Sequence, residues 1–204
     1  MSATATPATA DRSDFRTVMV GGTQIGVLTA AAVVAFLAVS QHVPALVPQS
    51  LLEALIVLTA GIAVSLLPGR LTEARHVEGI ACAAAIGLWG TVVFTAIDIV
   101  LLRPFKAYPW TWDAVGGGST WWYLPIWWML GTALAWTGAI VTADRAARGD
   151  PALVRAATPT VGGAVLLAAV ARLAGLHVAL PVATGVGFTI TLAVRAVLAL
   201  ARKR

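Results

Sequence analysis

The chain has 204 residues, of which 59% are hydrophobic and only 11% are charged, and its mean hydropathy is +0.86. Soluble domains carry about 25% charged residues, so this composition excludes a soluble globular protein and indicates one that crosses a membrane. The net charge of +5 does not indicate nucleic-acid binding, because the basic residues lie at the ends of long apolar stretches, where membrane topology places them.

The N-terminal stretch, residues 1–15, is small and polar and predicts a disordered tail. It is not typical of a cleaved signal peptide, because the apolar stretch that follows is longer than a signal core of about 7–15 residues.

Six apolar stretches, separated by polar or Pro/Gly-containing segments, predict six transmembrane helices. Their predicted bounds are about 18–43, 51–67, 79–102, 123–141, 159–176 and 182–200. The second stretch is short, at roughly 26 Å for a rise of 1.5 Å per residue, and Pro68 with Gly69 predicts its end. In the third, small residues recur at a spacing that lets helices pack closely. They are Gly79, Ala83, Gly87 and Gly90.

Basic residues are distributed unequally between the two sides of the predicted bundle. Ten Lys and Arg residues fall on the side of the N-terminus, two fall on the other side, and Arg172 and Arg195 lie inside spans. Basic loops face the cytoplasm, so we predict an all-α integral membrane protein, a bundle of six transmembrane helices with the N- and C-termini cytoplasmic. The Arg-, Ala- and Gly-rich composition is typical of a bacterial protein, which predicts the inner (cell) membrane as its location.

An unusually aromatic segment lies between the third and fourth spans, and we call residues 103–122 the aromatic connector. Tryptophan settles where hydrocarbon meets water, so most of its rings are explained as a membrane-surface belt. Their density around the flexible Gly116–Gly118 turn also predicts a lid or a docking surface. The predicted ligand- or partner-contacting residues are Trp110, Trp112, Asp113, Trp121, Trp122 and Arg103 of the connector, with Arg172 of the fifth span.

Ionisable residues inside spans are costly and are therefore candidate sites. Asp98 and Arg172 lie near the same ends of their spans, which predicts an ion pair between them. In a second interpretation Asp98, Glu53 and Arg172 line a polar cleft beneath the connector, and Asp98 or Glu53 is the catalytic acid. Near the opposite ends of their spans, Glu78 and Arg195 form another candidate pair.

Metal and haem sites are not predicted. The three histidines, His42, His76 and His177, show no paired spacing, and the single cysteine, Cys82, lies in an apolar stretch. We therefore predict no metal and no cofactor.

Three functions fit these features. The first is an auxiliary or structural subunit of a bacterial membrane complex, with the connector as docking surface. Its partners would be the lipid bilayer and other membrane subunits or a second copy of the chain, without nucleic acid. The second is an intramembrane enzyme acting on an isoprenoid or lipid at the outer leaflet, and the third is a small carrier or channel. The sequence leaves open whether the protein is an enzyme.

Overall fold

A computed structural model describes residues 11–102, 123–148 and 152–202. Within these ranges the chain forms six long helices and no strand, and each helix is long and apolar enough to cross a membrane. The helices are α1 (Phe15–His42), α2 (Leu46–Leu71), α3 (Val77–Ile97), α4 (Tyr123–Ala147), α5 (Leu153–Leu173) and α6 (Leu180–Ala201), and a π-helical turn, Asp98–Leu102, follows α3 directly. The prediction of a multi-pass all-α bundle is confirmed.

Successive helices run in opposite directions, so their ends gather at two ends of the bundle. What we call the terminal end contains residues 11–14, the 72–76 loop, Arg148 and Arg202. What we call the connector end contains residues 43–45, Leu102, Tyr123 and the 174–179 loop. Eight arginines lie in or beside the terminal end and one, Arg172, at the connector end, within the described part of the chain. Cytoplasmic termini stay a prediction based on this bias.

The second helix is the centre of the bundle, because α2 contacts each of the other five helices. Its Leu66 side chain is fully buried in an apolar core formed with α4, α5 and α6. This core includes Ile140 of α4 and Leu192 of α6, so most of it lies in the half of the bundle nearer the terminal end.

The second and fifth spans, each with a proline well inside the helix, are longer than the sequence predicted. The prediction that Pro68 ends the second span is wrong, because α2 continues to Leu71. Proline removes one backbone donor, but Pro68 and Gly69 are buried and the N–H of Thr72 donates to the Pro68 carbonyl at 3.1 Å. Packing against neighbouring helices is what lets membrane helices tolerate such residues. The predicted start of the fifth span at residue 159 is likewise wrong, since α5 begins at Leu153 and contains Pro159.

The small residues of the third span do bring helices together, as predicted. A Cβ atom built on Gly90 of α3 would lie 3.2 Å from the carbonyl oxygen of Gly22 in α1. One built on Gly87 would lie 2.6 Å from the carbonyl oxygen of Gly131 in α4. Because these neighbours are backbone atoms, α3 packs against α1 on one side and α4 on the other at distances that only small residues allow.

Candidate functional site

The first predicted acidic residue, Glu53, is buried within α2 with only 8% of its surface exposed. Its Oε1 accepts a hydrogen bond of 2.9 Å from the side-chain amide of Gln49, one turn earlier. Ser65, twelve residues further along α2, lies against Gly138 of α4. Since α2 and α4 run in the same direction, Glu53 lies level with the first turn of α4, about two turns inside α2 from its connector end.

The second predicted acidic residue, Asp98, begins the π-helical turn and is 5% exposed. One turn before it, the hydroxyl of Thr95 accepts a hydrogen bond of 3.4 Å from the indole N–H of Trp128. This contact places Asp98 beside the first turn of α4 as well.

Equal height does not place the two acidic residues on one surface. Glu53 shares a face of α2 with Ile56, Val57 and Ala60, which line a groove of about 320 Å³ between α1 and α2. Asp98 instead continues the face of α3 that carries Thr95 and packs on α4. Both carboxyl groups therefore lie at the connector end, on faces of α2 and α3 that contact different helices, and a shared cleft beneath the connector stays a prediction.

The predicted ion pair between Asp98 and Arg172 is not formed. Arg172 lies in the last turn of α5 and is exposed, and among the described residues no ion pair joins it to Asp98. α3 and α5 make no extensive contact with each other. The sequence gives a residue's depth in the membrane, but it does not say which way the side chain points around the bundle axis.

The tryptophans divide into two groups. Trp110, Trp112, Trp121 and Trp122, together with Asp113 and Arg103, lie outside the described residues, so their predicted role stays a prediction. Among the described tryptophans, Trp89 and Trp128 are half-buried between helices, and their indole N–H groups donate to Thr23 and Thr95. Trp127 and Trp136 are instead each 48% exposed.

An outward face of α4 follows directly from the aromatic connector. It consists of large apolar residues around one small residue, at helical spacing. We call these residues the α4 stripe: Ile126, Met129, Leu130, Ala133 and Trp136. All five are exposed on the bundle surface, and they lie on one side of the helix because residues three and four apart share a face.

The terminal end contains a polar contact that sequence reasoning missed. Asp11 belongs to the stretch predicted as a disordered tail, yet its carboxylate accepts from the backbone N–H groups of Arg75, His76 (2.8 Å) and Gly79 (3.2 Å). The prediction is therefore wrong for residues 11–14, while residues 1–10 lie outside the described residues. A Cβ on Gly79 would come within 2.6 Å of the carboxylate, so the glycine makes room for it.

The Asp11 contact satisfies donors at the start of α3, where the N-cap His76 supplies no side-chain acceptor. Burial on its own would raise the pKa of Asp11. The hydrogen bonds from His76, Arg75 and Gly79 outweigh that effect and hold the pKa below its ordinary value. The carboxylate thus anchors the N-terminal segment to the loop between α2 and α3.

Arg195 also has partners that differ from the predicted one. Its Nη1 donates to the carbonyl oxygen of Ala156 at 2.6 Å and to the hydroxyl of Thr160 in α5, whereas Glu78 is exposed on α3. The predicted Glu78–Arg195 pair is wrong. The nearest signal in the sequence is Pro159, which interrupts the hydrogen-bond ladder of α5 close to Ala156 and Thr160.

No group of three or more His, Cys, Asp or Glu residues that could hold a metal ion occurs within the described ranges. No model of a protein family, no curated protein and no solved structure matches the chain. Its function has to be inferred from its own residues.

Proposed function

We propose that this multi-pass membrane protein is an auxiliary or structural subunit that binds the transmembrane helix of a partner protein along the α4 stripe. The proposed setting is a complex in the inner membrane of a bacterium, with the arginine-rich terminal end in the cytoplasm. The observation that carries the proposal is the position of Trp136.

Trp136 lies at the middle of its helix. It is thirteen residues after Tyr123 and eleven before Ala147, or about 20 Å and about 16 Å at 1.5 Å per residue. Tryptophan on a lipid-facing surface normally lies at the interface. A polar N–H left without an acceptor in hydrocarbon is costly, and among the described residues the Trp136 indole donates no hydrogen bond while 48% of the residue is exposed. A partner helix supplies the acceptor that lipid tails lack.

The shape of the α4 stripe supports a helical partner. Ala133 forms a shallow point between Leu130 and Trp136, and small residues between larger ones let a second helix approach closely. The stripe also follows the aromatic connector without a break in the chain. Connector and stripe together would supply the aromatic residues that dominate binding energy at interfaces.

Site-specific photocrosslinking in intact membranes tests the proposal. A photoreactive residue at Met129 should crosslink to one defined protein, whereas the same residue at Leu166, equally lipid-facing on α5 (64% exposed), should capture lipid only. Trp136→Phe keeps an aromatic ring, although a smaller one, and removes the N–H; it should weaken co-purification of the crosslinked protein. Identical lipid-only products at Met129 and Leu166 would refute the docking role.

A second candidate function, an intramembrane enzyme acting on an isoprenoid or other lipid, is favoured by one observation. Glu53 lies one turn from the apolar groove between α1 and α2 and on the same face of α2. A hydrocarbon chain in that groove would bring its polar head toward a buried carboxyl group that could act as a general acid. Lipid turnover that is lost in Glu53→Gln but kept in Trp136→Phe would favour the enzyme. Partner binding that is lost in Trp136→Phe but kept in Glu53→Gln would favour the subunit.

A further inference from the structure

A cavity of about 390 Å³ opens at the terminal end, between the start of α1 and the end of α2. Its lining combines charged, polar and apolar side chains. The lining residues are Arg12, Asp14, Arg16, Thr17, Val20, Gly21, Gln24 and Leu71. This cavity lies at the opposite end of the bundle from the connector and apart from the α4 stripe, so the proposed docking surface does not account for it.

The charged groups of the cavity leave a cation available for a ligand. Asp14 is occupied as the N-cap of α1, because its two carboxylate oxygens accept from the backbone N–H and the hydroxyl of Thr17. Arg12 pairs with Glu73 at 3.0 Å. Arg16 is exposed, and among the described residues its guanidinium forms no ion pair. The lining itself, with two arginines and one aspartate, carries a net charge of +1.

A second polar group lies deeper in the same cavity. Gln24 is eight residues after Arg16 on α1, about 12 Å along the helix. It is exposed, and its amide has no hydrogen-bond partner among the described residues. Side chains of a helix lean toward its N-terminus, so the amide reaches back toward the level of Arg16. An amide facing hydrocarbon without a partner is costly, and a ligand with a carbonyl oxygen at that depth would remove the cost.

These groups match the layers of a phospholipid. The headgroup region of one leaflet is about 5–7 Å thick. A phosphate at its outer boundary would meet Arg16, the glycerol carbons below it would contact Val20 and Leu71, and an ester carbonyl would accept from the Gln24 amide, which reaches back toward that level. Basic pockets between transmembrane helices are known to hold anionic headgroups. We propose that this cavity is a binding site for one phospholipid with a single net negative charge, taken from the leaflet at the terminal end.

The test measures lipid binding by native mass spectrometry of the full chain in a neutral detergent, titrated with phosphatidylglycerol. The informative variants are Arg16→Gln and Gln24→Leu. Each has a control: Arg202→Gln removes an exposed arginine from the same end, and Thr189→Val removes an exposed polar side chain from α6, outside both cavities. Hydrogen bonds to charged groups predict a loss of about tenfold or more for Arg16→Gln. Gln24→Leu should lose several-fold, and both controls less than about twofold.

Two further titrations separate the sources of the phosphate. Phosphatidylethanolamine should bind at least about tenfold more weakly than phosphatidylglycerol, and glycerol phosphate should not displace bound lipid. Equal losses in Arg16→Gln and Arg202→Gln would mean that the charge acts only as general surface attraction, and they would overturn the proposal. Equal binding of the two lipids, displacement by glycerol phosphate, or an unchanged affinity in Gln24→Leu would overturn it as well.

Discussion

Gly26 of α1 offers the sharpest test of the helix packing. A Cβ at this position would lie 2.7 Å from the carbonyl oxygen of Gly90 and 2.7 Å from Cγ1 of Val93, both on α3. Carbon–oxygen contacts across helix interfaces are about 3.3–3.6 Å, so Gly26→Ala requires α1 and α3 to separate by roughly 0.6 Å or more. Overpacking costs about 1–3 kcal/mol. Because the carbonyl oxygen of Gly90 is a backbone atom and cannot rotate away, we expect a cost at the upper end of this range.

The gain in helix propensity opposes this cost. Alanine is better than glycine inside a helix by about 1 kcal/mol, so the net destabilisation expected for Gly26→Ala is about 2 kcal/mol. Gly162 of α5 is the matched control, because a Cβ there would meet no atom within 4 Å, and Gly162→Ala should gain up to about 1 kcal/mol. The variants should differ by about 3 kcal/mol, or roughly 6–12 °C in melting temperature for a chain of this length. Equal melting temperatures in detergent would refute the close α1–α3 contact.

Three other predictions follow from residues described above. The lowered pKa of Asp11 means that its carboxylate stabilises the docked N-terminal segment at neutral pH and that this stabilisation is lost as the pH falls below about 4. A nitroxide label on the segment should be immobile at pH 7 and mobile near pH 2. Equal mobility at the two pH values would contradict the contact. Arg195→Met removes the donors to α5 and should destabilise the protein by about 1–3 kcal/mol in thermal unfolding, whereas Arg202→Met should stay within about 0.5 kcal/mol. A reporter that is active only outside the cytoplasm should be silent in the 72–76 loop and active in the 174–179 loop, and the opposite result would invert the predicted orientation.

The number, order and type of the helices could be predicted from the sequence because a long apolar stretch has few alternatives to a transmembrane helix. The helix ends could not. Pro68 and Pro159 are local signals for a break, but burial of Pro68 and Gly69 in the bundle and the hydrogen bonds of Arg195 keep the two helices continuous. These compensating contacts come from residues distant in the sequence.

The pairing of polar groups was also beyond the sequence. Asp98 and Arg172 have matching depths, yet they lie on helices that make no extensive contact. Asp11 was missed for the reverse reason: a polar terminal stretch has the composition of a disordered tail, and nothing local shows that the start of α3 needs an acceptor. Only the glycine at position 79, which leaves room for the carboxylate, could have suggested a close approach there.

The central position of α2 has a consequence for the biosynthesis of the protein. Four of its five neighbours are translated after it, and three of these, α4, α5 and α6, belong to the second half of the chain. Membrane helices first insert and then associate, so α2 must remain in the bilayer with most of its contact surface covered by lipid until the ribosome has delivered the second half of the chain. A nascent chain released after α3 would be inserted but incomplete, and a separately synthesised second half, α4 to α6, should be able to complete it.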